Sequence, residues 1–177
     1  ALLALIVEKV SGESFPSFLE GNIFAPLSMN GSVAHVEGVS RVSNRAFGYV
    51  RDNGGWVRRD QSITSAVLGD GGVYSNIEDL ARWDDALRES RVVSPGTVRL
   101  ATSALIATDV PGVGYGFGWR IGTHRGRRQF WHTGETSGFR NAIIRFPDDR
   151  VTVVVLTNRG EGRPYETALK ISELYLD

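Results

Sequence analysis

The spacing of hydrophobic residues changes once along this chain. In the segments that begin at Phe15 and Ile77, apolar side chains recur every three or four positions, which is the spacing of a helix with one buried face. From Tyr115 onward, apolar and polar residues alternate, as they do in a strand with one buried face. The pattern predicts a mainly helical and loop part in residues 1–110, followed by sheet strands and a C-terminal helix in residues 111–177.

Most of the predicted helices begin at a hydroxyl residue. A hydroxyl oxygen there accepts a hydrogen bond from a free backbone N–H of the first turn, and a proline in that turn already has a helical φ angle. The predicted starts are Ser14 with Pro16, Ser75 with Glu78 as a capping box, Ser94 with Pro95, and Pro164 for a closing helix. We expect the helix that begins at Ser75 to extend to about Arg88, with Leu80, Trp83 and Leu87 facing the core.

Four strands are predicted in the second part of the chain. They are Tyr115–Ile121, Gln129–Trp131, Phe139–Phe146 and Val151–Asn158. A further pair of short strands, residues 45–50 and 55–57, is predicted around Asp52-Asn53-Gly54. Helices that precede hairpin-connected strands, with one terminal helix to cover a sheet face, indicate an α+β fold with an antiparallel sheet flanked by helices.

Length, charge and cysteine content exclude several classes of protein. The chain has 177 residues, a length that predicts a single domain. Lys and Arg total 20 and Asp and Glu total 20, so we expect neither nucleic acid nor an anionic membrane as a partner. The chain has no cysteine, which excludes disulfides and a thiolate nucleophile. Its longest apolar runs, Ala1–Val7 and Val151–Leu156, are far shorter than the roughly 20 residues of a membrane-spanning helix.

The sequence gives no reason to expect a cofactor or a metal ion. Residues 114–118, Gly-Tyr-Gly-Phe-Gly, lack the third glycine spacing of a dinucleotide-binding loop and lead into a predicted strand, so close strand packing is the better explanation of these glycines. The three histidines, at positions 35, 124 and 132, do not have the spacing of metal ligands. We therefore predict neither a cofactor nor a metal site.

One cluster of residues has the composition of a reactive site. His132, Thr133 and Gly134 come at the end of a predicted strand, shortly before the next strand begins. A strand edge offers free N–H groups, a glycine allows a substrate to approach, and a threonine hydroxyl can donate to a carboxylate, a combination suited to stabilising an oxyanion. From spacing alone, a histidine packed beside Trp131 in a β-bulge is the more common interpretation.

Ordered motifs along nearly the whole chain resemble the serine β-lactamase-like family. The matching segments are residues 2–12 (LLALIVEKVSG), 23–29 (IFAPLSM), 71–75 (GGVYS), 78–83 (EDLARW), 115–119 (YGFGW), 132–134 (HTG), 146–148 (FPD) and 155–158 (VLTN). This family includes class C β-lactamases, D,D-peptidases, esterases and D-aminopeptidases. The resemblance implies a β-lactamase/transpeptidase-like fold and a serine hydrolase that forms an acyl-enzyme on an amide, ester or β-lactam carbonyl.

The resemblance also implies roles for four consecutive residues. His132-Thr133-Gly134 corresponds to the family's third catalytic motif, which is Lys-Thr-Gly in β-lactamases and His-x-Gly in many peptidases and esterases. His132 and Thr133 would face the carboxylate or the leaving side of a small-molecule or peptide substrate, and Gly134 would permit its close approach. The backbone N–H of Glu135 would be one oxyanion donor.

Two other motifs of the family are missing from this sequence. No serine is followed three residues later by lysine, so the family's Ser-x-x-Lys nucleophile motif is absent. Tyr74-Ser75-Asn76 spells the family's Tyr-x-Asn motif but lies at the position of its glycine loop, so we interpret it as a coincidence with Ser75 as a helix cap. The first helix begins at Ala1 without a capping residue, and we expect the chain to be the C-terminal part of a single longer domain.

Other interpretations remain open at this point. The apolar first helix and the incomplete sheet predict self-association or a partner chain that supplies the N-terminal part. On its own, the chain is expected to be inactive. A binding or regulatory module that keeps the scaffold without the nucleophile is one alternative to a hydrolase. An esterase without β-lactam activity is another, favoured by histidine in place of lysine.

Overall fold

The computed structural model describes residues 1–62 and 66–176. The helices are α1 (Leu2–Ser11), α2 (Phe15–Leu19, continued by a π-helical turn at Glu20–Phe24), α3 (Ile77–Arg88), α4 (Pro95–Ala101) and α5 (Pro164–Ser172). The strands are β1 (Val33–Ala34), β2 (Tyr49–Asp52), β3 (Gly55–Arg58), β4 (Val73–Tyr74), β5 (Ile106–Ala107), β6 (Gly114–Tyr115), β7 (Arg120–His124), β8 (Arg127–Thr136), β9 (Phe139–Phe146) and β10 (Val151–Thr157).

The centre of the fold is a six-stranded antiparallel sheet with the strand order β10-β9-β8-β7-β6-β5. Helix α5 covers one face of this sheet, where Ala168 packs with Trp131, Ile144, Phe146 and Val153 in one buried cluster. Burial of this apolar surface is the main force that holds α5 against the sheet. The prediction of an α+β fold with an antiparallel sheet flanked by helices is confirmed.

A buried ion pair joins the helical part to the opposite side of the sheet. Asp84 of α3 is 4% exposed and Arg145 of β9 is 7% exposed. The Arg145 Nε atom lies 2.5 Å from Asp84 Oδ1, and the Thr152 hydroxyl of β10 donates to the same oxygen at 3.0 Å. Arg88 donates to the second carboxylate oxygen. The carboxylate of Asp84 thus links three secondary structure elements.

The predicted strands agree with the structure best where the chain turns sharply. Strand β9 has the predicted bounds, and β10 ends one residue earlier than predicted. The prediction of one strand over residues 115–121 is wrong, because the Gly116 N–H donates to the Trp119 carbonyl at 2.8 Å and closes a turn between β6 and β7. The strand predicted at Gln129–Trp131 is only the middle of β8.

The capping box predicted at Ser75 and Glu78 is also wrong, by one residue. The N-cap of α3 is Asn76, whose side-chain oxygen accepts from the Asp79 N–H at 2.8 Å. The Ser75 hydroxyl instead lies 2.8 Å from the hydroxyl of Ser32. Both residue types are good N-caps, so a distant contact of Ser75 decides which of them begins the helix.

A small hairpin lies against one end of the main sheet. Strands β2 and β3 pair with each other around Asn53-Gly54; β2 begins four residues later than the predicted strand 45–50, and β3 ends one residue beyond the predicted strand 55–57. Backbone bonds join β2 to the chain after β10, from Tyr49 N to Asn158 O at 3.0 Å and from Gly160 N to Tyr49 O at 2.7 Å. The Gly138 N–H, in the turn between β8 and β9, donates to Asp60 O at 3.2 Å. The hairpin therefore borders the β8–β9 turn.

In the part of the chain that the structure describes, no helix combines the length and the apolar character needed to cross a bilayer.

Candidate active site

The candidate site lies where β8 extends beyond the end of its neighbour β7. Strand β7 starts at Arg120, which pairs with Trp131, while β8 continues to Thr136. From His132 to Thr136, β8 is therefore paired with β9 on one side and has no strand partner from β7 on the other. The prediction that His132 ends a strand is wrong. Among the described residues, His132 instead begins a stretch of β8 whose second edge is not paired with β7.

The backbone of this edge is oriented by the hairpin turn. Thr136 and Phe139 close a two-residue loop, and the closing pair of such a loop exchanges both backbone hydrogen bonds. Because hydrogen-bonded and non-hydrogen-bonded pairs alternate along an antiparallel ladder, His132, Gly134 and Thr136 bond to β9. The backbone N–H groups of Thr133 and Glu135 consequently point toward the open edge.

Residues of three strands act on the imidazole of His132. Its Nε2 atom lies 3.0 Å from the hydroxyl of Tyr115 in β6, and the two rings meet edge to face. Loss of contact with water lowers the pKa of His132 below its ordinary value, and the positive charge of Arg120 in β7 lowers it further. A hydrogen bond with the Thr133 backbone raises the pKa in part. His132 is therefore mainly neutral at pH 7.

Gly134 stands in open space. A methyl group built on its Cα would meet no atom within 4 Å, and its φ angle is not in the left-handed region. In contrast, a Cβ on Gly114 would lie 2.4 Å from the Cβ of Ala104, and one on Gly116 would lie 2.2 Å from the Ala101 carbonyl oxygen. Packing of the described chain requires a glycine at 114 and 116, because the end of α4 and the residues after it, and not chiefly a neighbouring strand as predicted, lie against them; it does not require one at 134.

The other two residues of the motif lie on the same edge. Thr133 is partly buried, and the Glu135 carboxylate lies 3.5 Å from the guanidinium of Arg140, across the pair that joins β8 to β9. An open cavity of about 410 Å³ is lined by Val50, Arg51, Asp52, Arg59 and Ser137. The four residues singled out in the sequence thus share one edge, and the cavity lies at the far end of the β8–β9 hairpin, where Ser137 but none of the four lines it.

Tyr74 and Asn76 have structural contacts elsewhere. The Asn76 amide caps α3, and the Tyr74 ring lies edge-on to His35 with the Arg45 guanidinium 4.8 Å from its centre. Burial raises the pKa of Tyr74. These contacts support the interpretation that Tyr74-Ser75-Asn76 is not a catalytic motif, although the helix cap is Asn76 and not Ser75.

Sequence reasoning did not assign any role to Tyr115, which is the nearest side-chain partner of His132. The available signal was the pair of glycines on either side of it, because two glycines that flank a large aromatic residue indicate a tightly packed backbone. Among the described residues, no group of three histidines or carboxylates is arranged to hold a metal ion.

Comparisons with known proteins identify the family of this chain. The Beta-lactamase family model matches residues 1–175. Penicillin-binding protein 4* of Bacillus subtilis is 32% identical over 180 residues, which cover 95% of this chain and 40% of that protein. D-aminopeptidase of Brucella canis is 28% identical over 172 residues, which cover 96% of this chain and 32% of that protein.

A solved structure shows the same similarity in three dimensions. The octameric penicillin-binding protein homologue from Pyrococcus abyssi superimposes with a TM-score of 0.89 and 29% sequence identity, over 98% of this chain and 40% of that one. The chain therefore spans less than half the length of these relatives. The match over almost all of its residues shows that the chain belongs to the Beta-lactamase family.

Proposed function

We propose that this chain is the part of a serine hydrolase that binds the substrate carbonyl, with the acyl-forming serine in a Ser-x-x-Lys motif outside these 177 residues. Membership of the family supports hydrolase activity, and the names of the relatives include a D-aminopeptidase and a penicillin-binding protein. The printed sequence contains no Ser-x-x-Lys, and the relatives extend well beyond the matched region. The nucleophile is therefore assigned to the remainder of the protein.

In this proposal the serine attacks an amide, ester or β-lactam carbonyl and forms an acyl-enzyme. Negative charge develops on the carbonyl oxygen, and the backbone N–H of Glu135 stabilises it together with the N–H of the serine itself. Thr133 and His132 contact the carboxylate or the leaving side of the substrate. The edge of β8 that β7 does not pair is the observation that carries the proposal, because the Glu135 N–H points toward it and the space at Gly134 lets a substrate approach.

The substitution Gly134→Ala, which adds one methyl group, tests the role assigned to Gly134. We expect Gly134→Ala in the full-length protein to leave the thermal midpoint unchanged and to lower kcat/KM for a p-nitrophenyl ester by about 10- to 100-fold, because the methyl group displaces the substrate. Gly55→Ala is the matched control, since Gly55 also lies in a strand, and its nearest neighbour to an added Cβ is 3.6 Å away. Unchanged kinetics in Gly134→Ala would contradict the proposal.

The position of the nucleophile has its own test. Mass spectrometry after incubation with a penicillin or with a p-nitrophenyl ester should show a covalent adduct on the full-length protein and none on the 177-residue chain. An adduct on the chain alone would place the nucleophile within it. A full-length protein that never acylates would favour a binding module.

We also infer that the exposed face of α1 is covered in the functional protein. Leu2, Leu3 and Val10 are each more than three quarters exposed, and an apolar surface of this kind marks an interaction site. The occupant that we infer is either the remainder of the family domain or a second copy of the chain. The relative from Pyrococcus abyssi is described as octameric.

Light scattering on the 177-residue chain tests this inference. We expect association that increases with concentration and that Leu3→Lys reduces, because a charge on this face must stay hydrated. Val39→Lys is the control, since Val39 is 82% exposed but lies outside α1. A monodisperse monomer at high concentration, with little binding of a hydrophobic dye, would contradict the inference that the exposed face of α1 is an interaction surface.

A further inference from the structure

Tyr115 and His132 form a contact between strands that do not pair with each other. Tyr115 lies in β6 and His132 in β8, and β7 separates these two strands in the sheet. Their side chains meet just beyond the start of β7, with the Tyr115 hydroxyl 3.0 Å from His132 Nε2 and the ring centres 6.2 Å apart. The distance is that of a good hydrogen bond.

The backbone of Tyr115 is tightly fixed. The glycines on both sides of it pack against the end of α4 and the residues that follow, so closely that no side chain would fit at either position. The Tyr115 carbonyl accepts from the Leu105 N–H at 3.1 Å. Tyr115 is also the strand partner of Ile106 in β5 and of Arg120 in β7. The phenol therefore projects from a backbone with little freedom to move.

The hydrogen bonds of the two ring nitrogens of His132 determine where its proton lies. In a neutral imidazole one nitrogen donates and the other accepts, and the partner of one sets the state of the other. The Tyr115 hydroxyl lies 3.0 Å from Nε2, so it can donate to that nitrogen, and a neutral ring that accepts at Nε2 has its proton on Nδ1.

We propose that Tyr115 is a positioning residue for His132: its hydroxyl donates to Nε2, fixes the plane of the ring and keeps the proton on Nδ1. The importance of this position for catalysis rests on the proposed function, in which His132 faces the substrate. Among the described residues, the charged or titratable side chains found to act on the ring are Arg120 and Tyr115, and neither is acidic. Without the hydroxyl, the imidazole can rotate about its Cβ–Cγ bond and take the other tautomer.

Nitrogen-15 NMR of the labelled chain tests the positioning directly. The chain has three histidines, so the signals of His132 are identified by comparison with His132→Gln. In the unsubstituted chain at pH 8 we expect the Nδ1 signal of a protonated nitrogen and the Nε2 signal of an unprotonated one. Tyr115→Phe should move both signals toward each other as the tautomers mix. Identical shifts in the two proteins would overturn the proposal.

Tyr165→Phe is the matched control. The Tyr165 hydroxyl also makes one side-chain hydrogen bond at 3.0 Å, from the Gln129 amide, but it lies in α5 and packs against Trp131. Adjacent side chains of a strand point to opposite faces, so Tyr165 is across the sheet from His132. Its removal should lower the thermal midpoint and leave both His132 signals in place.

Kinetics of the full-length protein separate positioning from direct contact with substrate. Tyr115→Phe should lower kcat by about 10- to 100-fold with little change in KM, because a misplaced catalytic group is costly. In a His132→Ala background the same substitution should have no further effect, since Tyr115 acts through His132. Additive losses would overturn the positioning role. A full-length protein without hydrolase activity would contradict the proposed function alone, and the NMR comparison would still decide the proposal.

Discussion

Replacing Asp84 with alanine is expected to lower the free energy of unfolding of the chain by about 3–5 kcal/mol, because it leaves the buried guanidinium of Arg145 without its partner. The Thr152 hydroxyl also loses its acceptor. Both effects act where α3 meets the sheet. Urea denaturation followed by tryptophan fluorescence measures the change.

Two further variants show whether the buried charge is responsible. Asp85→Ala removes an exposed carboxylate from the same helix, 3.9 Å from Arg88, and should change the free energy of unfolding by less than about 0.5 kcal/mol. The double substitution Asp84→Leu with Arg145→Met removes both charges and should recover much of the loss. A stability of Asp84→Ala within about 1 kcal/mol of the unsubstituted chain would show that the ion pair has no such role.

Replacing His132 with alanine in the full-length protein is expected to cost about 2–4 kcal/mol of transition-state stabilisation, because it removes a preorganised polar group beside the developing charge. That free energy corresponds to a loss of roughly 30- to 1000-fold in kcat/KM. Because a hydrogen bond such as the one to Tyr115 contributes only about 1 kcal/mol net to stability, the thermal midpoint should change by a few degrees at most. His132→Lys should retain more activity than His132→Ala, since the resemblance to β-lactamases, whose motif is Lys-Thr-Gly, implies that a lysine can serve at this position. A lowered thermal midpoint with unchanged kcat/KM in His132→Ala would contradict the assignment of His132 to the active site.

The lowered pKa of His132 predicts how the stability of the chain and kcat/KM of the full-length protein change with pH. Between its ordinary pKa of about 6.5 and the lower value in the folded chain, the unfolded state binds more protons than the native state. The contribution of His132 to stability is thus fully present above about pH 6.5 and is lost as the pH falls below it. The acidic decline in kcat/KM should lie below the same pH and disappear in His132→Ala. An acidic decline that persists in this variant would show that another group titrates.

The sequence correctly predicted elements that begin or end at residues with a strong local preference, such as helix caps and turn residues. The Ser94-Pro95 pair begins α4, and the Ser94 side chain accepts from the Thr97 N–H as predicted. The bounds of β9 follow from strict alternation and from the turn after Phe146. The resemblance to known hydrolases identified the His132 motif, and its four residues do share one strand edge, although their catalytic roles stay predictions.

Distant contacts account for what the sequence did not predict. Asn76 replaces Ser75 as the cap of α3 because Ser32, which lies 43 residues earlier, bonds to Ser75. The contact between Tyr115 and His132 depends on where β7 begins, which hydrophobic spacing does not specify. Asp84 and Arg145 lie 61 residues apart, and each is of a type that is rarely buried alone. Local patterns contain no information on such pairs.

The docking of the β2–β3 hairpin also has a consequence for the order of folding. Its contacts join Tyr49 to Asn158 and Asp60 to Gly138, segments that are remote in sequence, so closing these loops costs chain entropy before other contacts can repay it. At Gly138 backbone packs directly on backbone, with the Arg59 carbonyl where a Cβ would be. Such a junction has no side chain that can adjust, so we expect it to form after both segments have reached their final shapes. The docking of the hairpin beside the candidate site is therefore expected to be a late step in folding.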